Sequence, residues 1–266
     1  MAQRVLYGML SSGGYDDGEG VEGARLGPRP RCTTGVDCSY LFYQAIATSH
    51  ESVRVARNLA ASSAVLLKND AATLPLRPGA RVALLGTACD APFLRAGGLG
   101  WDTGDYYTLG GSGRVLSDPR AASTIASALR ARAASGELSA LTEYPHDDAG
   151  GALTAARGHD VAIACGGAWA REGTDRPHLR LDQDDFLHDL ASGLARARRN
   201  EAAAAAAKGP EGVPPLVVAA LAPGAIVAEW AAEAQAALVL FLTGQVGGPP
   251  FLWRHEPLPK RPLLKS

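Results

Sequence analysis

The sequence predicts an α/β fold in which a mostly parallel sheet is covered by helices on both faces, an α/β sandwich. Three observations carry this. Short apolar runs at 64–67, 82–85, 161–165, 216–221 and 237–242 alternate with segments whose apolar residues recur at helical spacing. The runs are continuously apolar, as strands buried on both faces are, whereas a half-exposed strand would alternate with polar residues. The chain of 266 residues, 47% hydrophobic and 20% charged, is long enough to bury such a sheet in one large domain.

Taken in order, Val5, Leu6, Met9 and Leu10 have helical spacing, but residues 13–38 are rich in Gly, Pro and charge and cannot continue it. A long connection of this kind reads as a segment between domains. Thr48 and Glu51 fit a capping box, and Val53, Ala56, Leu59 and Ala60 then share one face of a helix of about four turns. The run 64–67 is a strand, after which Lys68, Asn69 and Asp70 turn the chain, and 82–85 is a second strand ending at Gly86. Asp118 before Pro119 opens a helix that Ile125 and Leu129 carry to about Ala134. A strand at 141–144 and a helix at 148–157 lead to the strand 161–165, which leaves the sheet at Gly166 and Gly167. Phe186, Leu187, Leu190 and Leu194 mark an amphipathic helix over 182–198, with an alanine run at 202–207 as a surface extension. Then follow a strand at 216–221, a helix at 226–234 and a last strand at 237–242.

A formal net charge of −1 provides no field for nucleic acid or an anionic membrane, so neither is expected as a partner. No run of about 18 apolar residues is present to span a bilayer, and the N-terminus reads without a signal peptide. The four cysteines (Cys32, Cys38, Cys89, Cys165) form no C-x-x-C pair and the six histidines no H-E-x-x-H, so neither a metal site nor a cofactor is expected. Cys32 and Cys38 flank a short loop that either closes a disulfide in an oxidising compartment or keeps two thiols. Cys165, inside a strand, reads as a small buried hydrophobe.

The candidate for chemistry is Glu172, on the loop that follows the strand 161–165. Sheets of this type place their sites beyond the carboxyl ends of the strands, where a carboxyl can donate or accept a proton. The alternative is a surface glutamate paired with Arg171 or Arg176. Gly110, Gly111, Ser112 and Gly113 allow backbone to approach a ligand closely, or form a plain turn. Neither G-x-G-x-x-G nor G-x-x-x-x-G-K-[ST] is present to make them a phosphate cradle.

Five segments in order carry a resemblance: Ala64 to Asn69 with Leu74-Pro75-Leu76; Val82 to Gly86; Gly110-Gly111-Ser112-Gly113; Glu172-Gly173-Thr174-Asp175-Arg176; and Gly244-Gln245-Val246-Gly247-Gly248. Together, over roughly residues 48–248, they resemble the C-terminal α/β sandwich domain of glycoside hydrolase family 3, which contains β-glucosidases and β-xylosidases. The resemblance implies that Glu172 is the catalytic acid/base. It would protonate the departing glycosidic oxygen and then activate the water that releases the sugar. It implies that Gly110, Gly111, Ser112 and Gly113 border the sugar, and that Asp175 and Arg176 fix the loop. Trp169, and with it Trp101, Tyr106 and Tyr107, would stack on sugar rings or pack in the core.

The family's nucleophile is an Asp on an N-terminal (β/α)8 barrel, about 5 Å from the acid/base in a retaining enzyme. On this reading residues 1–47 are the last helix of such a barrel plus a linker, 48–248 the sandwich, and 249–266 a divergent tail that leaves the sheet incomplete at its C-terminal end. The expectation is a β-glucosidase-like fragment acting on an oligosaccharide or an aryl or alkyl β-glycoside. It lacks the nucleophile and is inactive until a barrel is supplied. The alternatives are a non-catalytic carbohydrate-binding or interaction module on the same fold, and a nucleotide-binding α/β protein. Full-length relatives are often secreted, but the compartment of this chain stays open.

Overall fold

The computed structural model describes residues 49–90, 106–107, 110–112, 123–204 and 212–241. A boundary between Ser49 and His50 divides the chain into two units, and the fold below is that of the second. The expected helix near Val5, the linker, Cys32 and Cys38, Thr48, Trp101, Gly113, the Asp118-Pro119 pair, the motif from Gly244 and the tail lie outside the described residues.

The elements are α1 (His50–Ser62), β1 (Val65–Asn69), β2 (Arg81–Leu85), α2 (Ile125–Ala134), β3 (Ala140–Tyr144), α3 (Ala149–Ala156), β4 (Val161–Gly167), α4 (Asp184–Ala204), β5 (Leu216–Ala222) and β6 (Ala236–Phe241). The six strands form one sheet in the order β1-β6-β5-β4-β2-β3. All neighbours are parallel except β1, which runs antiparallel to β6 at the edge. Every residue of β4 and β5 is buried, the property that makes their sequences continuously apolar.

Alternate strand residues feed two cores. On one face Val82, Leu84, Ile163 and Val217 pack with Ile125, Ala126 and Leu129 of α2. On the other, Leu85, Ala164 and Val218 pack with Ala152 of α3 and with Leu187, Leu190 and Leu194 of α4. Helices therefore cover both faces of a mostly parallel sheet, as the sequence predicts. Strand order turns between β4 and β2, since the chain passes from β2 to β3 on one side and to β4, β5 and β6 on the other. The crevice at the carboxyl ends of β2 and β4 is the place where such sheets bind ligands.

Several local expectations are corrected. α2 begins at Ile125, not at Asp118-Pro119: Thr124 caps it, its hydroxyl accepting from the Ser127 amide while the Ser127 hydroxyl accepts from the Thr124 amide. The segment 226–234 is not a helix of several turns but a single 3-10 turn, Glu229–Ala232, whose Trp230 is 1% exposed. β4 does not leave the sheet at Cys165. It continues through Gly166 and Gly167, which pair with Ala220 and Leu221 of β5. The glycines have a packing cause, because a Cβ at Gly166 would lie 2.6 Å from Leu187 Cδ1 and one at Gly167 would enter the Tyr106 ring. Lys68 and Asn69 lie within β1 rather than beyond it, and Asn69 holds the following turn by donating to the Leu74 carbonyl and accepting from its amide, both at 2.9 Å. The apolar face of α1 is largely uncovered, with Val53 and Leu59 exposed and Ala60 buried.

Cys165 is not an isolated thiol. It is joined by a disulfide to Cys89, on the 3-10 turn Thr87–Asp90 that follows β2, across 76 residues of sequence. Both half-cystines are buried. Closing a loop of this length stabilises by about 4 kcal/mol in the chain-entropy account. Urea unfolding of C89A/C165A is therefore expected to give a folding free energy about 4 kcal/mol below that of the parent protein. An unchanged midpoint and slope would show that the bond contributes nothing.

Candidate active site

The loop after β4 is built as a tight platform. Ala168 continues from the strand, its amide donating to the Leu221 carbonyl at 2.9 Å, and the chain then turns outward through Trp169 and Ala170. Arg171 and Thr174 form an isolated antiparallel bridge around a turn of Glu172 and Gly173, where Gly173 has φ of +77°. A side chain at that φ is strained, which accounts for the glycine. The Arg171 Nε donates to Thr174 Oγ1 at 3.1 Å, and its guanidinium carbon lies 5.6 Å from the centre of the Trp169 ring.

The glycine-rich segment joins this loop directly. Gly110 bridges Arg171 in parallel: its amide donates to the Ala170 carbonyl at 3.2 Å and its carbonyl accepts from the Glu172 amide at 3.4 Å. The Ser112 amide donates to Glu172 Oε2 at 2.9 Å. Gly111 between them has φ of +98°, and a Cβ there would sit 2.5 Å from the Glu172 Cβ. The sequence-predicted residues Gly110, Gly111, Ser112 and Glu172 thus form one unit in which backbone approaches a carboxylate as only glycine permits.

The Glu172 side chain is exposed. Ser112, first through its hydroxyl and then through its amide, holds this carboxyl below the ordinary glutamate range, against a small opposing effect of burial. No second carboxylate is among the groups that move it. Asp175 is exposed. Arg176 donates to the carbonyls of Ala225 at 2.9 Å and Arg180 at 3.2 Å, tying the loop to the segment after β5. Trp169 is half-buried, and its indole N–H is buried with no partner among the described residues.

Tyr106 and Tyr107, which the sequence offers as stacking or core residues, have polar partners that the sequence does not reveal. Tyr106 lies over Gly167, its hydroxyl donating to Asp182 Oδ2 and accepting from Gln183 Nε2, each at 2.9 Å, while Gln183 Oε1 accepts from the Gly167 amide at 2.9 Å. Burial, with Asp182 beside it, pushes the Tyr106 phenol up to about 12. Tyr107 is buried, its hydroxyl 3.1 Å from the carbonyls of both Ala88 and Cys89, so it packs in the core and offers no stacking face. The glycine at 167 is the one sequence signal that pointed to the Tyr106 contact. Among the described residues no cluster of His, Cys, Asp and Glu could hold a metal ion.

Residues 64–251 match the glycosyl hydrolase family 3 C-terminal domain. No curated protein matches the sequence. Among solved structures, the chain is similar to the beta-D-glucoside glucohydrolase of Trichoderma reesei, with 25% identity over 74% of this chain and 27% of that one, and a TM-score of 0.57. The fold is shared with a family 3 beta-glucosidase of Neurospora crassa, at 21% identity over 77% of this chain and 23% of that one, TM-score 0.56. It is shared also with the beta-glucosidase of Listeria innocua in complex with isofagomine, at 16% identity over 77% and 25%, TM-score 0.55. The chain spans about a quarter of the length of these enzymes.

The Ser112 contacts predict a pH signature. A carboxyl whose folded pKa is lowered contributes stability above its unfolded pKa and loses that contribution as pH falls through the folded value. An NMR titration of the Glu172 carboxyl should place its midpoint below the ordinary glutamate range, and Ser112→Ala should move it upward. Identical titration in the two proteins would remove Ser112 as the cause. Gly111→Ala should move Glu172 in the same direction, because the added Cβ cannot coexist with the observed placement of Glu172.

Proposed function

The chain belongs to glycoside hydrolase family 3, and from that membership we propose that Glu172 is the acid/base of a retaining β-glycosidase whose nucleophilic Asp resides on a (β/α)8 barrel domain. The observation that supports the reading is the placement of Glu172. It projects from the loop after a central buried strand, at the crevice where strand order turns, and is clamped by the Gly110–Ser112 backbone.

The chemistry follows from the residue. As a carboxylic acid Glu172 would give its proton to the leaving glycosidic oxygen while the barrel's Asp attacks the anomeric carbon. As a carboxylate it would then take a proton from water attacking the glycosyl-enzyme. In the described residues Ser112 favours the carboxylate. The first step therefore requires that substrate and barrel cover this exposed group, since loss of water raises a carboxyl pKa. Gly110, Gly111 and Ser112, with Gly113, would border the sugar and Trp169 would stack on it, while Asp175 and Arg176 fix the loop. The substrate is a β-glucoside or a close relative, as an oligosaccharide or an aryl or alkyl β-glycoside.

A second reading, a module that binds carbohydrate without cleaving it, is favoured by one observation: Ser112 keeps Glu172 ionised, the state suited to accepting hydrogen bonds from sugar hydroxyls.

The two readings separate on one set of assays. The chain combined with a family 3 barrel domain should hydrolyse an alkyl β-glucoside, and Glu172→Gln should lower that rate about 100-fold or more. The same variant should lose less on a dinitrophenyl β-glucoside, whose leaving group needs no proton. Hydrolysis by the lone chain at the combined rate would overturn the assignment of the nucleophile to the barrel. Sugar binding by the parent chain that weakens in Glu172→Gln, with no hydrolysis by the parent chain either alone or with the barrel, would establish the binding module instead.

A further inference from the structure

The segment that clamps Glu172 is hung on the disulfide. Tyr107 anchors the start of that segment, and its hydroxyl is held by the carbonyls of Ala88 and Cys89 at 3.1 Å and accepts from the Ile125 amide at 3.3 Å. The turn bearing those carbonyls is tied by Thr87 to Asp147, at 2.7 Å through its amide and 2.5 Å through its hydroxyl. It is tied by Asp90 to Thr124 at 2.7 Å and to Arg130 at 2.8 Å. Among the described residues these polar ties lead to the β3–α3 loop and to α2. The covalent tie from the turn to β4, the strand that continues into the Glu172 loop, is Cys89–Cys165.

Glu172 rides on β4, while Ser112 belongs to a segment suspended from the turn after β2. Their 2.9 Å contact needs β4 and that turn to keep one register, which the β2–β4 ladder sets as far as Leu85 and Ala164, which Gly110 supports by its bridge to Arg171, and which the disulfide carries into the turn itself. Tyr106 contributes a separate, non-covalent tie to β4 through Gln183. We propose that the Cys89–Cys165 disulfide, acting through Tyr107, is a positioning element for Glu172 that sets the Gly110–Ser112 clamp against the loop after β4. Because the bond forms only where thiols are oxidised, assembly of the site is thereby linked to an oxidising compartment. The inference rests on Glu172 being the working carboxylate, but its test does not use activity.

The test is the NMR titration of Glu172, assigned by its loss in Glu172→Gln, with Asp160 as an internal control. Asp160 lies before β4, and the side chain and amide of Arg81, at the amino end of β2, hold its carboxyl low at the opposite end of the strands from the disulfide. In C89A/C165A the Glu172 midpoint should rise toward the ordinary glutamate range while Asp160 is unmoved. Tyr107→Phe, which keeps the disulfide and removes the hydroxyl link, should shift Glu172 in the same direction, and it decides the matter if the double variant does not fold. A Glu172 titration equal to the parent in the variants that fold, or an equal rise at Asp160 marking general loosening, would overturn the proposal. Hydrolysis in the presence of a barrel remains an independent measurement, so either result can fail while the other stands.

Discussion

Everything at the site hangs from the carboxyl end of β4. The strand lies between β5 and β2, and all of its residues are buried, so no side chain along it can reach a ligand. Function can leave this strand only through the loop that follows. Its last two residues are glycines, and the absent Cβ atoms are replaced by neighbours: Leu181 and Leu187 above Gly166, the Tyr106 ring above Gly167. Those neighbours belong to the segments that frame the site. Leu181 and Leu187 direct the chain back into α4, and Tyr106 starts the segment that carries Ser112. Close packing at two glycine positions thus converts the end of a core strand into a mount, at the density that protein interiors maintain.

The sheet was legible because burial on both faces leaves one kind of residue: β2, β4, β5 and β6 are read from uninterrupted apolar runs. Boundaries were less legible where a local signal had a rival. Asp118-Pro119 is a sound start signal, yet the helix starts at the capping box of Thr124 and Ser127, where the hydroxyls satisfy the first amides. The spacing of Ile226, Trp230 and Ala234 suits a helix. There the chain needs only to return from β5 to a parallel β6, and Trp230 fills the core from a single 3-10 turn. Leu66 and Leu67 are apolar but about half exposed, because β1 is the edge strand and periodicity does not report which strand is the edge.

The site was legible to the extent that it uses glycine and sequence-local chemistry. Glu172 was found from a carboxylate beyond a strand end, and Gly110 to Ser112 from glycine content; their contact is long-range and follows from the parallel bridge of Gly110 with Arg171. The Cys89–Cys165 bond was illegible. Spacing of 76 residues carries no pairing information, and the cysteines meet only because β2 and β4 are neighbours. Gln183 and its contacts with Tyr106 and Gly167 were missed for the same reason, since a buried polar network is recognised by its partners and these come from distant segments.

Positioning and acidity oppose one another at Glu172. The Ser112 contacts that fix the carboxylate also favour its ionised form, so a better clamp makes a poorer proton donor. An exposed group can escape this conflict only by losing its water. Covering the carboxylate penalises its charge while leaving the Ser112 geometry intact, and the proton then returns to a group already aimed. The proposed function, in which the site is divided between two domains, would have that property built in: on the sandwich alone Ser112 orients the carboxylate and favours its charge, and the acidity that the proposed first step needs would arise when a second surface closes over it.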